Sequence, residues 1–346
     1  MEISIGQLVL HAPNIHSGGG GVLLRNILAA TDLPVRWAQL DVRIRDSCRL
    51  PQCTVKHYVN PSVISRLLAE WRLRRDTTEN DIILCFHGLP PLFPLRGKVV
   101  IFVQNRILIE QCSLSSYPLR VRVRLCIERL WGRALQGRCS RYVVQTPSMA
   151  VLLEHWLRRV VPISVMPFIP AVCLSATLNS GNEIQKYAFV YVASGEAHKN
   201  HDNLLLAWRL LAEAGLNPSL ALTVDALSHP RLASEIERQR IHNGLNIVNL
   251  GMVARADIPV LYKSSSALIF PSKVESFGLP LIEATQMGLQ VLASELDYVR
   301  DVIEPIETFN PESPVSIARA VRRFLKNPDP ITPVGTAKDF LAEVLR

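Results

Sequence analysis

Residues 267–294 read ALIFPSKVESFGLPLIEATQMGLQVLAS, and the reading of the whole chain follows from this stretch. Ala267-Leu268-Ile269-Phe270 is a short apolar run closed by Pro271-Ser272, the pattern of a buried strand ending in a loop. Lys273 and Glu275 fall in that loop. Gly278 permits close backbone approach, and Pro280 suits the first turn of a helix that carries Glu283. One carboxylate therefore sits on the loop and the other on the first turns of the helix, and both can face a ligand at the helix N-terminus. Free N–H groups and the helix dipole at that end favour a diphosphate. Carboxylates accept hydrogen bonds from adjacent hydroxyls, which suits a sugar or a ribose. Gln290–Ala293 reads as the next strand, so the stretch is one parallel α/β unit.

The same alternation extends in both directions. Tyr187–Ala193 is a strong strand bounded by Ser194-Gly195, with a helix after it from about Asn203 to Ala214. Leu220–Val224 and Ile247–Leu250 are further strands. In the first half, Ile3–Leu10 reads as a strand, His11–Ser17 as a polar loop and Gly18–Gly21 as a glycine loop, before an apolar helix from Val22 to about Ala30. Asp81–Phe86, Lys98–Val103 and Arg141–Gln145 look like buried parallel strands. The expected organisation is a Rossmann-like domain over 1–168, a linker over 169–183, a second Rossmann-like domain over 184–327, and a segment 328–346 packing back toward the first domain. Ligands of such sheets bind outside the carboxyl ends of the strands.

Composition narrows the function classes. The chain has 346 residues, 48% apolar and 20% charged, which is ordinary globular composition. A net charge of +8 favours an anionic partner. No apolar stretch approaches the ~20 residues of a membrane-spanning helix. Met1-Glu2-Ile3-Ser4 does not open a secretory signal, and seven scattered cysteines without C-x-x-C fit a reducing compartment, so the expected location is the cytoplasm. Leu23 stands where a G-x-G-x-x-G fingerprint needs its third glycine, and there is no P-loop, H-E-x-x-H or G-x-S-x-G. Asp-x-Asp is also absent, so the sequence calls for no metal.

The segment resembles the Glu-x7-Glu signature of retaining glycosyltransferases of the GT-B fold, family 4 in particular. Tyr191 to Asn200 with Leu204-Leu205 and Ala207-Trp208 resembles that family's strand–loop–helix, Gly251-Met252-Val253 its base-side turn, and Ser294–Tyr298 with Asp301-Val302 and Phe309-Asn310-Pro311 its closing pattern. The resemblance implies an α/β GT-B architecture, two Rossmann-like domains facing each other across a deep cleft. It implies a metal-independent hexosyl transfer, with retention, from a nucleotide-diphosphate sugar, in surface-polysaccharide or lipopolysaccharide synthesis. Glu283 would hold the ribose and Glu275 the donor sugar. Phe277, Gly278 and Leu279 would approach sugar and diphosphate, with Ser194, Gly195, Val253 and Ser272 also on the donor side. Lys199 would stabilise the leaving diphosphate. The glycines Gly18, Gly19, Gly20 and Gly21 would meet the donor phosphates or the acceptor. No cofactor beyond the donor is implied.

Two departures from the family pattern stand out. Ser194-Gly195-Glu196 occupies the stretch where many relatives carry a second diphosphate-binding Arg. Gln104, followed by Asn105 and Arg106, takes the place of a first-domain His, and Arg106 is a candidate for the missing cation across the cleft. His87 follows a strand and is expected to point toward the cleft. Lys273 and Val274 are expected to face the sugar.

The basic excess concentrates in the first domain, with seven arginines between 119 and 141. Leu119, Val123, Cys126, Ile127, Leu130 and Ala134 share one helical face, flanked by Arg120, Arg122, Arg124, Arg129 and Arg133. That pattern fits an interfacial helix on an anionic membrane, the inner face of the cytoplasmic membrane for a lipid-linked acceptor. It also fits a core-packing helix with a basic rim. Trp71 and Trp131 fit either an interfacial or a core position. The competing functions are a related phosphorylase or epimerase, a non-catalytic GT-B-like partner subunit of a transferase complex, and nucleic-acid binding, which no motif supports.

Overall fold

A computed structural model describes residues 7–29, 35–47, 55–110, 114–115, 117–169, 185–330 and 337. The first domain holds strands β1 (Gln7–Ala12), β2 (Val35–Asp41), β3 (Val55–Val59), β4 (Asp81–Cys85), β5 (Lys98–Phe102), β6 (Arg141–Val144) and β7 (Ile163–Val165). They form one sheet in the order β3-β2-β1-β4-β5-β6-β7. Its helices are α1 (Gly18–Ala29), α2 (Val63–Asp76), α3 (Arg106–Ile109), α4 (Leu119–Leu135) and α5 (Pro147–Trp156). The second domain holds β8 (Tyr187–Tyr191), β9 (Leu220–Leu222), β10 (Ile247–Asn249), β11 (Ser265–Phe270), β12 (Gln290–Ser294) and β13 (Glu307–Phe309), in the order β10-β9-β8-β11-β12-β13. Its helices are α6 (His201–Glu213), α7 (Pro230–His242), α8 (Ile258–Lys263), α9 (Leu279–Gln286), α10 (Asp297–Arg300) and α11 (Pro314–Phe324).

The pairings are parallel in both sheets. Helices on the faces bury the strands, so runs such as Ala267 to Phe270 are apolar on successive residues rather than alternate ones. Strand order reverses between β1 and β4 in one sheet and between β8 and β11 in the other. Helices diverge at such points and leave a crevice at the strand ends. The two α/β domains predicted from sequence are therefore present, and they meet. Phe277 and Leu279 of the second domain join the apolar cluster of Leu10, Leu24, Phe86 and Phe102 in the first. Polar contacts reinforce the junction: the Ser148 N–H donates to Asp301 Oδ2 at 3.0 Å, and the Arg106 N–H to Ser276 Oγ at 2.8 Å.

Local differences from the sequence reading have physical causes. β1 runs two residues further than expected, because His11 is buried and its ring is held by Gln39 and Glu70; residues 1–6 lie outside the described residues. The four glycines are not a loop but the first turn of α1, opened by the Gly21 N–H to Ser17 O bond at 3.1 Å. A Cβ on Gly21 would lie 3.0 Å from the His16 carbonyl carbon, and one on Gly20 3.1 Å from Gln104 Oε1, so close approach explains the glycines there. β2 escaped the sequence reading because it carries buried Gln39 and Asp41. β3, β7 and β13 were also not expected. The expected linker beyond 169, and most of 328–346, lie outside the described residues.

Gly278 has φ +68, and a Cβ there would meet Leu281 Cδ1 at 2.9 Å; Gly288, at the other end of α9, has φ +74 with open space around it. A left-handed backbone costs an ordinary residue about 1–2 kcal/mol. Gly288→Ala should carry that cost alone, lowering Tm by roughly 2–8 °C, and Gly278→Ala should lower it further through the added clash. Equal melting points for the two variants would refute this reading of Gly278.

Candidate functional site

The loop after β8 and the loop after β11 are laced together. Asn200 adopts φ 62, a left-handed conformation that Asn tolerates, and so turns the chain into α6. Its Nδ2 donates to Pro271 O at 3.0 Å and Pro311 O at 2.7 Å. The Lys273 N–H donates to His198 O at 2.8 Å, and the Tyr191 hydroxyl to Lys199 O at 2.8 Å. This frame brings Lys199 Nζ to 2.5 Å from Glu275 Oε1. The same oxygen accepts the Ser272 hydroxyl at 2.7 Å, and Ser272 O accepts the Tyr298 hydroxyl at 2.7 Å.

Gly278 and Pro280 open α9, which carries Glu283 with its side chain only 5% exposed. Arg255, from the turn after Met252 and Val253, grips both Glu283 oxygens, one contact being Nη1 to Oε2 at 2.9 Å.

Lys199, Glu275, Arg255 and Glu283 line a cavity of about 640 Å³ between the domains, a size suited to a nucleotide-sized ligand. The structure brings Lys199, Glu275, Glu283, Phe277, Gly278, Leu279, Ser194, Val253, Gly18, Gly19, Gly20 and Gln104 to this one cavity. Gln104 also donates through Nε2 to Phe86 O at 2.6 Å. Gly195 lies behind the wall, packed so closely on His229 that a Cβ would be 2.5 Å from its ring. Ser272 is fully buried and supports Glu275, and Gly21 faces His16.

Several expectations fail. Arg106 does not reach into the cleft: it is buried on Glu110 at 2.8 Å and on Asp297 at 2.8 Å. Burial works against its charge, yet those two carboxylates hold its pKa above the ordinary arginine value. Asn105 caps α3 through the Ile107 N–H at 3.1 Å. Lys273 pairs with Glu312 at 2.7 Å, and Val274 packs on the apolar group around Ile107 and Leu125. His87 turns inward, its ring 5.0 Å from that of His11. Burial, then Arg66, push its pKa well below the histidine range.

His11, Glu70 and His87 have the spacing of metal ligands, but none of the three lines the cavity. Glu70 already faces His11 at 3.0 Å, Arg66 at 3.4 Å and the Leu92 N–H at 2.9 Å, so its charge is matched from within the protein.

Sequence reasoning missed two cavity cations, Arg255 and Arg25. Among the described residues Arg25 has no acidic partner. Its Nη1 lies 3.7 Å from the place a Cβ would occupy on Gly21, so it reaches back toward the N-terminus of α1. Its position, one turn beyond the glycine run, was the available signal.

Residues 179–337 match the family model described as glycosyl transferases group 1. The serotype-specific mannosyltransferase WbdA of Escherichia coli is 33% identical over 147 residues, 40% of this chain and 17% of that protein. The O-antigen chain mannosyltransferase B of Escherichia coli is 30% identical over 142 residues, 40% of this chain and 36% of that protein. The chain thus spans well under half the length of these relatives. Among solved structures, an α,α-trehalose-phosphate synthase (UDP-forming) from Burkholderia vietnamiensis aligns with TM-score 0.68 and 11% identity, covering 93% of this chain and 92% of that one. Anabaena Alr3699/HepE, in complex with UDP and glucose, aligns with TM-score 0.66 and 15% identity over 93% and 90%. The fold is the two-domain, Rossmann-like GT-B arrangement.

His201, at the start of α6 beside this frame, has both ring nitrogens buried without a hydrogen-bond partner among the described residues. Burial, then Lys199, push its pKa down from 6.5 to about 3. The unfolded chain then binds the extra proton between those values. Stability contributed by the neutral ring is complete above 6.5 and declines as pH falls toward 3, by up to about 1.4 kcal/mol per pH unit. Urea titrations across that range should show a shallower loss for His201→Phe than for the wild type; identical slopes would contradict the assignment.

Proposed function

We propose that this chain transfers a hexosyl group from a nucleotide-diphosphate sugar to an acceptor, with retention of configuration and no divalent metal, in the synthesis of a surface polysaccharide or lipopolysaccharide. The observation that carries the reading is the convergence of Glu275, Glu283 and Lys199 on one interdomain cavity at the switch point of the second sheet. The names of the partial relatives, mannosyltransferases that include an O-antigen enzyme, support the choice of sugar chemistry.

In this reading the ribose lies on Glu283, and Arg255 balances that carboxylate's charge. The donor sugar lies on Glu275. The diphosphate lies between the N-termini of α9 and α1, where N–H groups and helix dipoles favour anions. Lys199 from the second domain and Arg25 from the first supply the cations that a metal supplies elsewhere. As the bond from sugar C1 to the diphosphate oxygen breaks, these groups stabilise the growing charge. The acceptor oxygen bonds to C1 on the same face, and its proton passes to the departing diphosphate. The acceptor, an oligosaccharide or lipid-linked sugar, enters from the first-domain side at an anionic membrane surface in the cytoplasm.

Incubation with a panel of nucleotide sugars in EDTA, with the anomeric configuration of the product read by NMR, tests this. Transfer should proceed with retention. Lys199→Ala should lower kcat by on the order of 10²–10³, and Arg25→Ala should raise the donor KM by roughly 10–100-fold, the worth of one charge-assisted hydrogen bond. An inverted product, or activity restored only by divalent metal, would contradict the proposal.

A further inference from the structure

The arginine-rich helix α4 turns its apolar face to solvent rather than into a core. Leu119, Val123, Cys126, Ile127, Leu130 and Ala134 are all exposed, Ile127 by 58% and Leu130 by 70%. A second helix does the same. On α2, Ile64, Leu67, Leu68 and Trp71 lie at the i, i+3, i+4, i+7 spacing of one face and are exposed, Ile64 by 73% and Trp71 by 53%. The two helices are neighbours, because the Arg66 guanidinium of α2 lies 5.6 Å from the ring centroid of Trp131 in α4. Scattered apolar residues on a surface need no explanation, but ordered apolar faces on two adjoining helices do.

We propose that α2 and α4 together form a docking platform that seats the first domain on an anionic lipid bilayer. Charge selects this occupant. Arg120, Arg122 and Arg124 on α4 and Arg74 and Arg75 on α2 are exposed beside the apolar faces. Their acidic counterweights on these helices are few: Asp76 engages Arg75, and Glu128 lies near Arg124. A second copy of the chain laid on this face would oppose arginines with arginines, whereas acidic headgroups would neutralise them while the leucines and Trp71 enter the headgroup layer.

The platform also ends at the cleft. Tyr117, two residues before α4, hydrogen-bonds His198 Nδ1 at 3.0 Å, and His198 adjoins Lys199. Val274, of the loop that carries Glu275, packs in the same apolar group as Tyr117 and Trp131. Docking would thus hold the mouth of the cleft at the bilayer, the position from which a lipid-linked acceptor enters. This last step rests on the transferase reading; the docking itself does not.

Flotation of the full chain with vesicles of phosphatidylcholine alone, or of phosphatidylcholine with phosphatidylglycerol, separates the two. The wild type should float with the anionic vesicles and not the neutral ones, with a blue shift in tryptophan fluorescence, and added salt should weaken the binding. Arg120→Glu with Arg122→Glu should reduce partition by about 30-fold or more, and Leu68→Glu with Ile127→Glu should reduce it while leaving Tm unchanged, since these side chains are exposed. Binding to anionic vesicles without sugar transfer would uphold the platform and sink only the transferase reading. Absence of vesicle binding, or a wild-type dimer that Leu68→Glu with Ile127→Glu converts to a monomer, would overturn the platform.

Discussion

Lys199 and Glu275 are 76 residues apart in the chain and meet at 2.5 Å because β8 and β11, whose loops carry them, are neighbours in the second sheet. Each is held from behind. Tyr191 and Asn200 fix the lysine loop, and Ser272 and Tyr298 fix the glutamate loop. A pair so supported has lost much of its side-chain freedom before a ligand arrives, which is what a preorganised charge site requires. The Arg255–Glu283 pair repeats the arrangement one loop away. The second domain therefore presents two carboxylates that can accept hydroxyls, each already balanced by a cation.

The first domain completes the cavity with backbone rather than with paired side chains. Small residues at the start of α1 let Leu279 and Gln104 approach its first turn, and a Cβ on Gly19 would lie 3.5 Å from Leu279 Cδ1. The anchoring of Arg106 on Glu110 and Asp297 explains why it cannot serve as the cleft cation: one guanidinium satisfies carboxylates from both domains and so joins them. Arg25, with no such engagement among the described residues, is the first-domain cation available to an anion in the cavity.

The central unit was legible in the sequence because its physics is local. The apolar run of β11, Gly278, Pro280 and the spacing of two glutamates specify strand, turn and helix without distant information. The exposed face of α4 was equally legible as a face, but its direction was not, since amphipathic spacing is the same for a helix facing core or lipid. Arg255 escaped because a lone arginine on a turn carries no spacing signal, and Arg25 because its one signal, a place one turn past the glycine run, does not say which way its side chain points; only the apposition of domains shows that. His87 misled for a related reason. Its place after a strand suggested the cleft, while its ring is held inside by His11 and Trp131. Strand β2 escaped because its polar residues are satisfied by partners elsewhere in the fold, such as Gln39 by His11.

In the proposed transferase the interdomain cavity holds a nucleoside diphosphate through Glu283 and the paired cations. Thermal-shift measurements with UDP, GDP, ADP, dTDP and CMP, each with and without EDTA, test it most directly. At about 100 times its Kd, one of the diphosphates should stabilise the chain by about 2.7 kcal/mol, a rise in Tm of roughly 5–10 °C for a domain of this size. This rise should be indifferent to EDTA and absent in Glu283→Ala. No shift with any diphosphate, or a shift of full size in Glu283→Ala, would contradict it.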